Sequence, residues 1–337
     1  MSRWIYLLKR VLMSIPVLIL GTTITFLIIR VGPLDPAAAI IGPSGNPQTY
    51  QAIRNQLGLD KPIWVQYYHF MINLFTFHLG HSWVINSGTS AYVLILQYAP
   101  RTIWLGFWSV LIALFVGIPL GFYAGMNPNT PSDYLASFGG IVWRAMPNFW
   151  LAVILLSVLS QSQKFFFGFD WLGWLVHTNV VGPPDLSHLS NPTNLLAAIK
   201  KIAPAALVLG SSSMGNEMRI GRTAVLETIN SNYVETARAK GVPSRKIFWK
   251  HIFRNALIPL IPVITGEAFI LLGGSVLVET VFGINGLGYL FFQATIQGDL
   301  PLIGALMFIF ILLLVVVNIL QDLLYTIVDP RVGYEET

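Results

Sequence analysis

Ionisable side chains within long apolar stretches are the residues of this sequence best suited to chemistry. Glu267 lies deep in the apolar stretch 256–279, and Arg144 lies near the middle of the stretch 134–159. A charge inside a membrane is costly unless it meets a partner or a water-filled cavity. We therefore expect Glu267, Arg144 and the nearby Pro147, which should kink its span, to line a path for a solute, where the Glu267 carboxylate would bind a cationic group. Structural pairing inside a helix bundle is the alternative for both charges.

Residue patterns for other common chemistries are missing from the sequence. It contains no Gly-x-x-x-x-Gly-Lys-[Ser/Thr], so the chain cannot bind ATP through a P-loop, and it contains no His-Glu-x-x-His or Gly-x-Ser-x-Gly. His78 and His81 are separated by Gly80, which favours a turn over a metal-binding helix face. The absence of cysteine excludes disulfides and thiol ligands. We predict no catalytic site, no metal site and no cofactor in this chain.

The composition is that of a membrane protein. Of 337 residues, 54% are hydrophobic and only 10% are charged, whereas about a quarter of the residues of soluble domains are charged. The formal net charge of +5 comes from basic residues that cluster beside apolar stretches. Membrane topology explains this charge better than binding to nucleic acid, which we do not expect. The predicted fold class is therefore an all-α integral membrane protein in contact with lipid.

Six apolar stretches approach the roughly 20 residues that cross a bilayer as a helix. These predicted spans are residues 11–29, 102–124, 134–159, 202–218, 256–279 and 302–327. The segment 219–255 holds eight of the 20 Lys and Arg residues, which predicts that it lies in the cytoplasm. With six spans, both chain ends are then cytoplasmic. No small-residue cleavage site follows the first stretch, so we interpret it as a retained span and not as a signal peptide.

The spans divide the chain into three predicted parts, with an irregular loop expected at 160–201. Turn residues and aromatic side chains in the long first loop predict short helices, one of them amphipathic and one lying at the membrane interface. The parts are a tail with the first span at 1–30, an extracytoplasmic loop with short helices at 31–100, and a five-span core at 101–337 with a cytoplasmic loop at about 219–255.

A short polar segment between the fourth and fifth predicted spans, Tyr233–Gly241, is the most specific pattern in the chain. Its Glu235, Ala237 and Gly241 resemble in spacing the "EAA" loop of ABC-importer permeases, which docks a separate ATPase. That resemblance implies that Ala237 and Gly241 allow close backbone approach to the ATPase, while Glu235 and the basic residues fix the register. The implied docking residues are Glu235, Thr236, Ala237, Arg238, Lys240 and Gly241.

Further motifs extend the resemblance over nearly the whole chain. Their order is similar to that in the permease subunits of dipeptide, oligopeptide and nickel ABC importers, and the long first loop resembles the B-type permease. Leu34 and Asn285 depart from the usual Gly and Pro of this branch. The motifs include Ile29-Arg-Val-Gly-Pro-Leu-Asp-Pro36, His78-Leu-Gly-His-Ser82, Gly117-Ile-Pro-Leu-Gly121, Glu279-Thr-Val-Phe282, Gly286-Leu-Gly288, Gly298-Asp-Leu-Pro301 and Asp329-Pro-Arg331.

This resemblance implies a type I importer fold in a prokaryotic plasma membrane and a chain without enzymatic activity. The implied partners are a second permease subunit, two ATPase subunits that bind ATP and Mg²⁺, and an extracytoplasmic solute-binding protein. The implied solutes are dipeptides or oligopeptides, with nickel or oligosaccharides as alternatives. A secondary transporter is the remote alternative, and it would more often show inverted repeats or discontinuous spans, neither of which is apparent from the sequence.

Overall fold

A computed structural model describes residues 3–32, 35–41, 46–165, 168–176, 191–273 and 275–328. Within these ranges every regular element is a helix, apart from an isolated antiparallel bridge between His81 and Ser90. Five helical segments are long and apolar enough to cross a membrane, or up to seven if each of two bent helix pairs counts as a span. The predicted all-α membrane fold with about six spans is confirmed.

Eighteen α-helices follow one another in the described ranges, and short π or 3-10 turns join several of them into longer segments. In chain order they are α1 Arg3–Val31, α2 Pro36–Ile41, α3 Pro47–Gln56, α4 Ile63–Phe75, α5 Ala91–Ile112, α6 Ile118–Met126, α7 Pro131–Ala145, α8 Asn148–Ser160, α9 Ser162–Phe165, α10 Trp171–Val176, α11 Pro192–Ile229, α12 Asn232–Ala239, α13 Ser244–Ile247, α14 Arg254–Leu257, α15 Ile261–Gly273, α16 Ser275–Phe282, α17 Leu287–Gln297 and α18 Leu300–Val328.

The helix α11 lies at the centre of the bundle and contacts its neighbours through glycines. Alanine Cβ atoms at Gly117, Gly121 and Gly125, one turn apart, would lie 2.9, 2.4 and 2.8 Å from backbone oxygens of α11. On α7, the backbone oxygen of Gly140 would lie 2.6 Å from a Cβ at Gly215. Small residues allow helix backbones in a membrane to approach closely. The packing of α6 and the π turn before it on α11 thus accounts for the Gly117-Ile-Pro-Leu-Gly121 motif.

The third predicted span, 134–159, is not one helix. The helices α7 and α8 meet at an angle of 98°, and Pro147 is the N-cap of α8. Proline cannot donate a backbone hydrogen bond and restricts the residue before it to extended conformations; Met146 has ψ 126°. The sequence-based expectation of a continuous span with a kink at Pro147 underestimated the break.

The boundaries of the fourth and fifth predicted spans also differ from the structure. The helix α11 begins at Pro192 instead of residue 202, because Asn191 caps its first turn. The apolar helical segment that follows α12 begins at Ser244 and not at residue 256, and it continues through α15 to Gly273. The prediction of an irregular loop at 160–201 was wrong where α9, α10 and the start of α11 lie, while residues 177–190 are outside the described ranges.

The first connecting segment (residues 32–90) packs over α1 and α18. The side chain of Tyr67 on α4 hydrogen-bonds Thr23 of α1 at 2.8 Å. Just before α18, the buried Asp299 carboxylate accepts a 2.5 Å bond from the Ser82 hydroxyl and bonds from three successive backbone amides, those of residues 83–85. This contact unites the 78–82 and 298–301 motifs at one end of the bundle.

A second buried carboxylate holds the turn between α16 and α17. Glu279 accepts hydrogen bonds from the Thr102 hydroxyl and from the Tyr289 amide, both at 2.8 Å. The Leu287 amide donates in turn to Thr102 at 2.7 Å. A Cβ at Gly286 would lie 2.5 Å from Glu279 Oε2, so only glycine fits there. The motifs at 279–282 and 286–288 are therefore parts of one structural network, which does not involve the predicted path residues.

Candidate functional site

The helix α12 presents two different faces. Val234 and Ala237 are buried in a cluster that includes Val225 of α11 and Ile247 of α13. Most of the remaining side chains of α12, Glu235 among them, are exposed. Because this helix is amphipathic and has only eight residues, its packing against α11 and α13, and not its intrinsic helix propensity, must hold it in place.

The C-terminus of α12 is closed by Gly241. The Val242 amide donates to the Ala237 carbonyl at 3.1 Å and the Gly241 amide to the Arg238 carbonyl at 2.9 Å, which together form a Schellman motif. Gly241 has φ +70°, a conformation that favours glycine. No other atom lies within 4 Å of the position of a Cβ at Gly241, so space within this chain does not limit the residue there.

The structure places five of the six predicted docking residues on the surface. Glu235, Thr236, Arg238, Lys240 and Gly241 are exposed next to one another, at one end of the bundle. Ala237 instead faces the chain's own core, with 7% of its surface exposed. Its methyl group thus packs α12 against the rest of this chain. A part for Ala237 in docking an ATPase stays a prediction.

Basic and apolar groups flank the exposed face of α12. Beside it, a cleft of about 320 Å³ separates α6 from the π turn Phe248–Phe253, and the rim residue Trp249 is 56% exposed. The sequence analysis did not single out Trp249 or this cleft, since one exposed aromatic in an apolar run gives no signal of its own. Four exposed basic side chains follow α12, namely Arg245, Lys246, Lys250 and Arg254.

A polar cluster lies within the bundle around α11. The Glu267 carboxylate is 5% exposed and lies near Ser213 of α11. One helical turn along α11, Glu217 is fully buried, and neither of its carboxylate oxygens has a hydrogen-bond partner among the described residues. Glu217 lies close enough to Glu267 for their charges to repel. Two carboxylates in this setting cannot both be ionised without a partner, so the cluster is suited to binding a cationic group or a proton.

The other predicted path residues lie beside this cluster. Arg144, in the last turn of α7, donates to Asn216 Oδ1 at 2.5 Å and interacts electrostatically with Glu267. Its side chain is exposed at the break between α7 and α8. Pro147 forms the break itself. The structure therefore places Arg144 against Asn216 of α11 and within electrostatic range of Glu267, while Pro147 acts through the backbone.

Sequence reasoning did not select Ser213 or Asn216. A polar run, Ser211 to Glu217, lies near the end of the fourth apolar stretch, and in it Asn216 and Glu217 follow Ser213 by three and four positions. Such spacings place side chains on one helix face, and they were a usable signal. In the part of the chain that the structure describes, no three His, Asp or Glu side chains come together as a metal site would require.

Comparison with known proteins assigns this arrangement to a family. Residues 117–334 match the family model described as "Binding-protein-dependent transport system inner membrane component", and residues 1–91 match the N-terminal model of the same kind of component. The oligopeptide transport system permease protein AppB of Bacillus subtilis is 34% identical over 329 residues, covering 98% of this chain and 99% of the relative.

Two further relatives are similar over the same extent. The dipeptide transport system permease protein DppB of Alkalihalophilus pseudofirmus is 32% identical and the glutathione transport system permease protein GsiC of Salmonella typhimurium is 31% identical, each over 98% of this chain and 99% of the relative. The chain belongs to the family of inner-membrane permeases of binding-protein-dependent transport systems, as a B-type ABC importer permease. It is a multi-pass inner-membrane transport protein and not an enzyme.

Proposed function

We propose that this chain forms, with a second permease subunit, the membrane path of an ATP-driven importer for dipeptides or oligopeptides. The exposed face of α12 docks a separate ATPase, which binds ATP and Mg²⁺. An extracytoplasmic binding protein delivers the solute at the opposite end of the bundle. The observation that carries the proposal is the two-sided packing of α12. Val234 and Ala237 bury one face of this short helix against the rest of the chain, and charged side chains lie on its exposed face.

The packing of α12 supports a mechanical role. Val234 and Ala237 share a buried cluster with residues of α6, α11 and the segment after α12, including Phe122, Val225 and Ile252. A partner that moves α12 therefore moves these helices with it, as packed elements shift together. The helix α11 also carries the Ser213–Glu217 side of the polar cluster, about three turns before Val225. Closure of the ATPase would therefore change the surroundings of Glu267.

Two features support a peptide as the solute. The relatives are named as oligopeptide, dipeptide and glutathione transport permeases. The Glu267 carboxylate, next to Glu217, whose oxygens accept no hydrogen bond from the described residues, offers a negative site for the amine of a peptide. A neutral oligosaccharide could hydrogen-bond these carboxylates but would not compensate their charge. Nickel remains the alternative cationic solute, and competition between a dipeptide and Ni²⁺ for uptake separates the two.

The arrangement of the helix ends supports an orientation with both chain ends in the cytoplasm. Arg10 near the start of α1 pairs with Asp322 near the end of α18 at 3.3 Å. The start of α15 lies at the same end, since Thr265 donates to Gln321 at 3.0 Å. The basic residues around α12 precede that helix, so the positive-inside bias assigns this whole end to the cytoplasm.

A secondary transporter is the second candidate, because two bent helix pairs and buried carboxylates are features of that class. Dependence on ATP separates the candidates. Transport by the purified complex in vesicles should require ATP on the side of the membrane on which α12 is exposed. Uptake that continues with an ion gradient and without ATP would favour the secondary transporter.

The sharpest test of docking is charge reversal on α12. Glu235→Lys should abolish uptake in reconstituted vesicles, or release the ATPase on purification, because the exposed carboxylate would no longer pair with the partner. Asp60→Lys, also at an exposed carboxylate but in the first connecting segment, is the matched control and should keep ATP-driven uptake. Normal solute-stimulated ATPase activity with Glu235→Lys would contradict the proposal.

A further inference from the structure

A cavity of about 360 Å³ lies at the end of the bundle opposite α12. The end of α1, the helix α4 and the first turns of α18 enclose it. None of its lining residues belongs to the docking face or to the polar cluster around Glu267. The proposed transport function thus leaves this cavity without a role.

A buried guanidinium in this cavity has two nitrogen atoms without a hydrogen-bond partner in the part of the chain that the structure describes. Arg30, in the last turn of α1, lines the cavity, and its Nε and Nη1 atoms are buried with no hydrogen-bond partner among the described residues. Buried charged donors are normally paired, because an unpaired one forfeits its hydration. Elsewhere the chain pairs Arg10 with Asp322 and Arg222 with Asp133. Arg30 is an exception that a bound anion would resolve.

The rest of the lining is also suited to an anion. Lys61 adds a second cationic group, and the imidazoles of His69 and His78 add further N–H donors. The amides of Asn55 and Asn73 can donate as well. No Asp or Glu occurs among the lining residues, all of which lie in the described ranges. The cavity therefore offers a concentration of donors without a competing carboxylate.

The helix α4 indicates where the cavity lies relative to the bilayer. Its exposed face carries an apolar and aromatic stripe in which Trp64 is 71%, Tyr68 61%, Ile72 41% and Phe75 42% exposed. Such a stripe on a short helix is typical of the headgroup region, where one side of the ring is apolar and the other wet. His69 lies on this helix beside Tyr68, so an interfacial position of α4 would bring the cavity to the level of lipid phosphates.

We propose that this cavity binds a phosphate group, with the Arg30 guanidinium as its principal ligand and Lys61, His69 and His78 at its rim. Guanidinium and phosphate form strong charge-assisted hydrogen bonds, frequently two at a time. The stripe on α4 favours a phospholipid headgroup as the source of the phosphate. Free inorganic phosphate has the same chemistry, and the experiment separates the two sources.

The test compares the wild-type complex with Arg30→Gln, which removes the charge, and with Arg54→Gln, an equal change on neighbouring α3 outside the cavity lining. Each complex is purified in detergent, and the phospholipids that remain bound are counted by native mass spectrometry. We expect one phospholipid fewer on Arg30→Gln than on the wild type and on Arg54→Gln. In a second arm, inorganic phosphate is titrated onto delipidated protein.

The two arms distinguish every outcome. Loss of one phospholipid in Arg30→Gln supports a lipid site, whereas equal lipid counts with phosphate affinity at least about tenfold weaker in Arg30→Gln support a free-phosphate site. Equal lipid counts and equal phosphate affinity overturn the proposal. If Arg30→Gln does not elute as a single complex, Lys61→Gln combined with His78→Gln at the exposed rim takes its place, with the same expected losses.

Discussion

At the scale of single residues, the geometry of Gly241 separates two reasons for its presence. Its φ of +70° disfavours other residues by about 1–2 kcal/mol, while the space beside it within the chain is open. Gly241→Trp should abolish uptake, because it adds this strain and a clash with the ATPase. The measurement is solute-stimulated ATPase activity and uptake in vesicles, with the affinity of the binding protein for its solute unchanged.

Gly241→Asn is the matched control, because asparagine tolerates the left-handed conformation and is small. We expect it to retain most of the uptake. If Gly241→Asn and Gly241→Trp both transport like the wild type, neither the turn nor the surface at this position takes part in coupling.

Glu267 carries a second prediction at this scale. Since the chain has no cysteine, Glu267→Cys introduces a single thiol at a position that is 5% exposed in this conformation. We expect a water-soluble thiol reagent to label it in at least one state of the transport cycle, because a solute path must become wet. Ala206→Cys, 1% exposed on the central helix α11, should stay unlabelled throughout. Equal protection of both thiols would make Glu267 a structural residue.

At the scale of helices, the contact of α6 with α11 should tolerate no added atoms. In Gly121→Ala the new Cβ would lie 2.4 Å from the Met218 carbonyl oxygen, so the backbones must separate. We expect a loss of about 1–3 kcal/mol in stability, measured as a lower melting temperature in detergent. Gly139→Ala on α7 is the control, because no atom lies within 4 Å of its Cβ and alanine favours a helix over glycine. A melting temperature that falls equally in both variants would contradict this account.

The features of these helices that could be predicted are those that depend on neighbouring residues in the sequence. Hydrophobic runs and the cap at Asn191 are local, so the number of spans, and in principle the start of α11, can be read from the sequence. The 98° break at Pro147 was expected only as a kink, because tertiary packing decides whether a proline bends a helix or ends it.

The candidate site was predictable to a similar extent. The spacing around Glu235 and Gly241 identified α12 as a surface element, and the depth of Glu267 identified a buried charge. The burial of Ala237 and the meeting of Arg144 with Asn216 depend on which helices become neighbours. That arrangement is set by contacts between residues far apart in the chain, which no single-sequence pattern contains.

At the scale of the whole molecule, the orientation in the membrane leads to a labelling prediction. Ser87→Cys, exposed in the first connecting segment, should react with a membrane-impermeant thiol reagent in intact cells. Lys246→Cys, exposed beside α12, should react only after permeabilisation, because the proposed topology puts the basic end of the bundle in the cytoplasm. The reverse pattern would overturn the proposed topology. Residue 44, another position in the same segment, lies outside the described ranges.

The contact between Asp299 and Ser82 has a consequence for folding during synthesis of the protein. The two residues are 217 positions apart in the sequence, and a ribosome that adds about 5–20 residues per second needs on the order of 10–40 s to cover that distance. Until then, the backbone amides of residues 83–85 lack the carboxylate that binds them in the finished protein. The segment made early in translation can therefore acquire its final shape only after the last helix begins to be made.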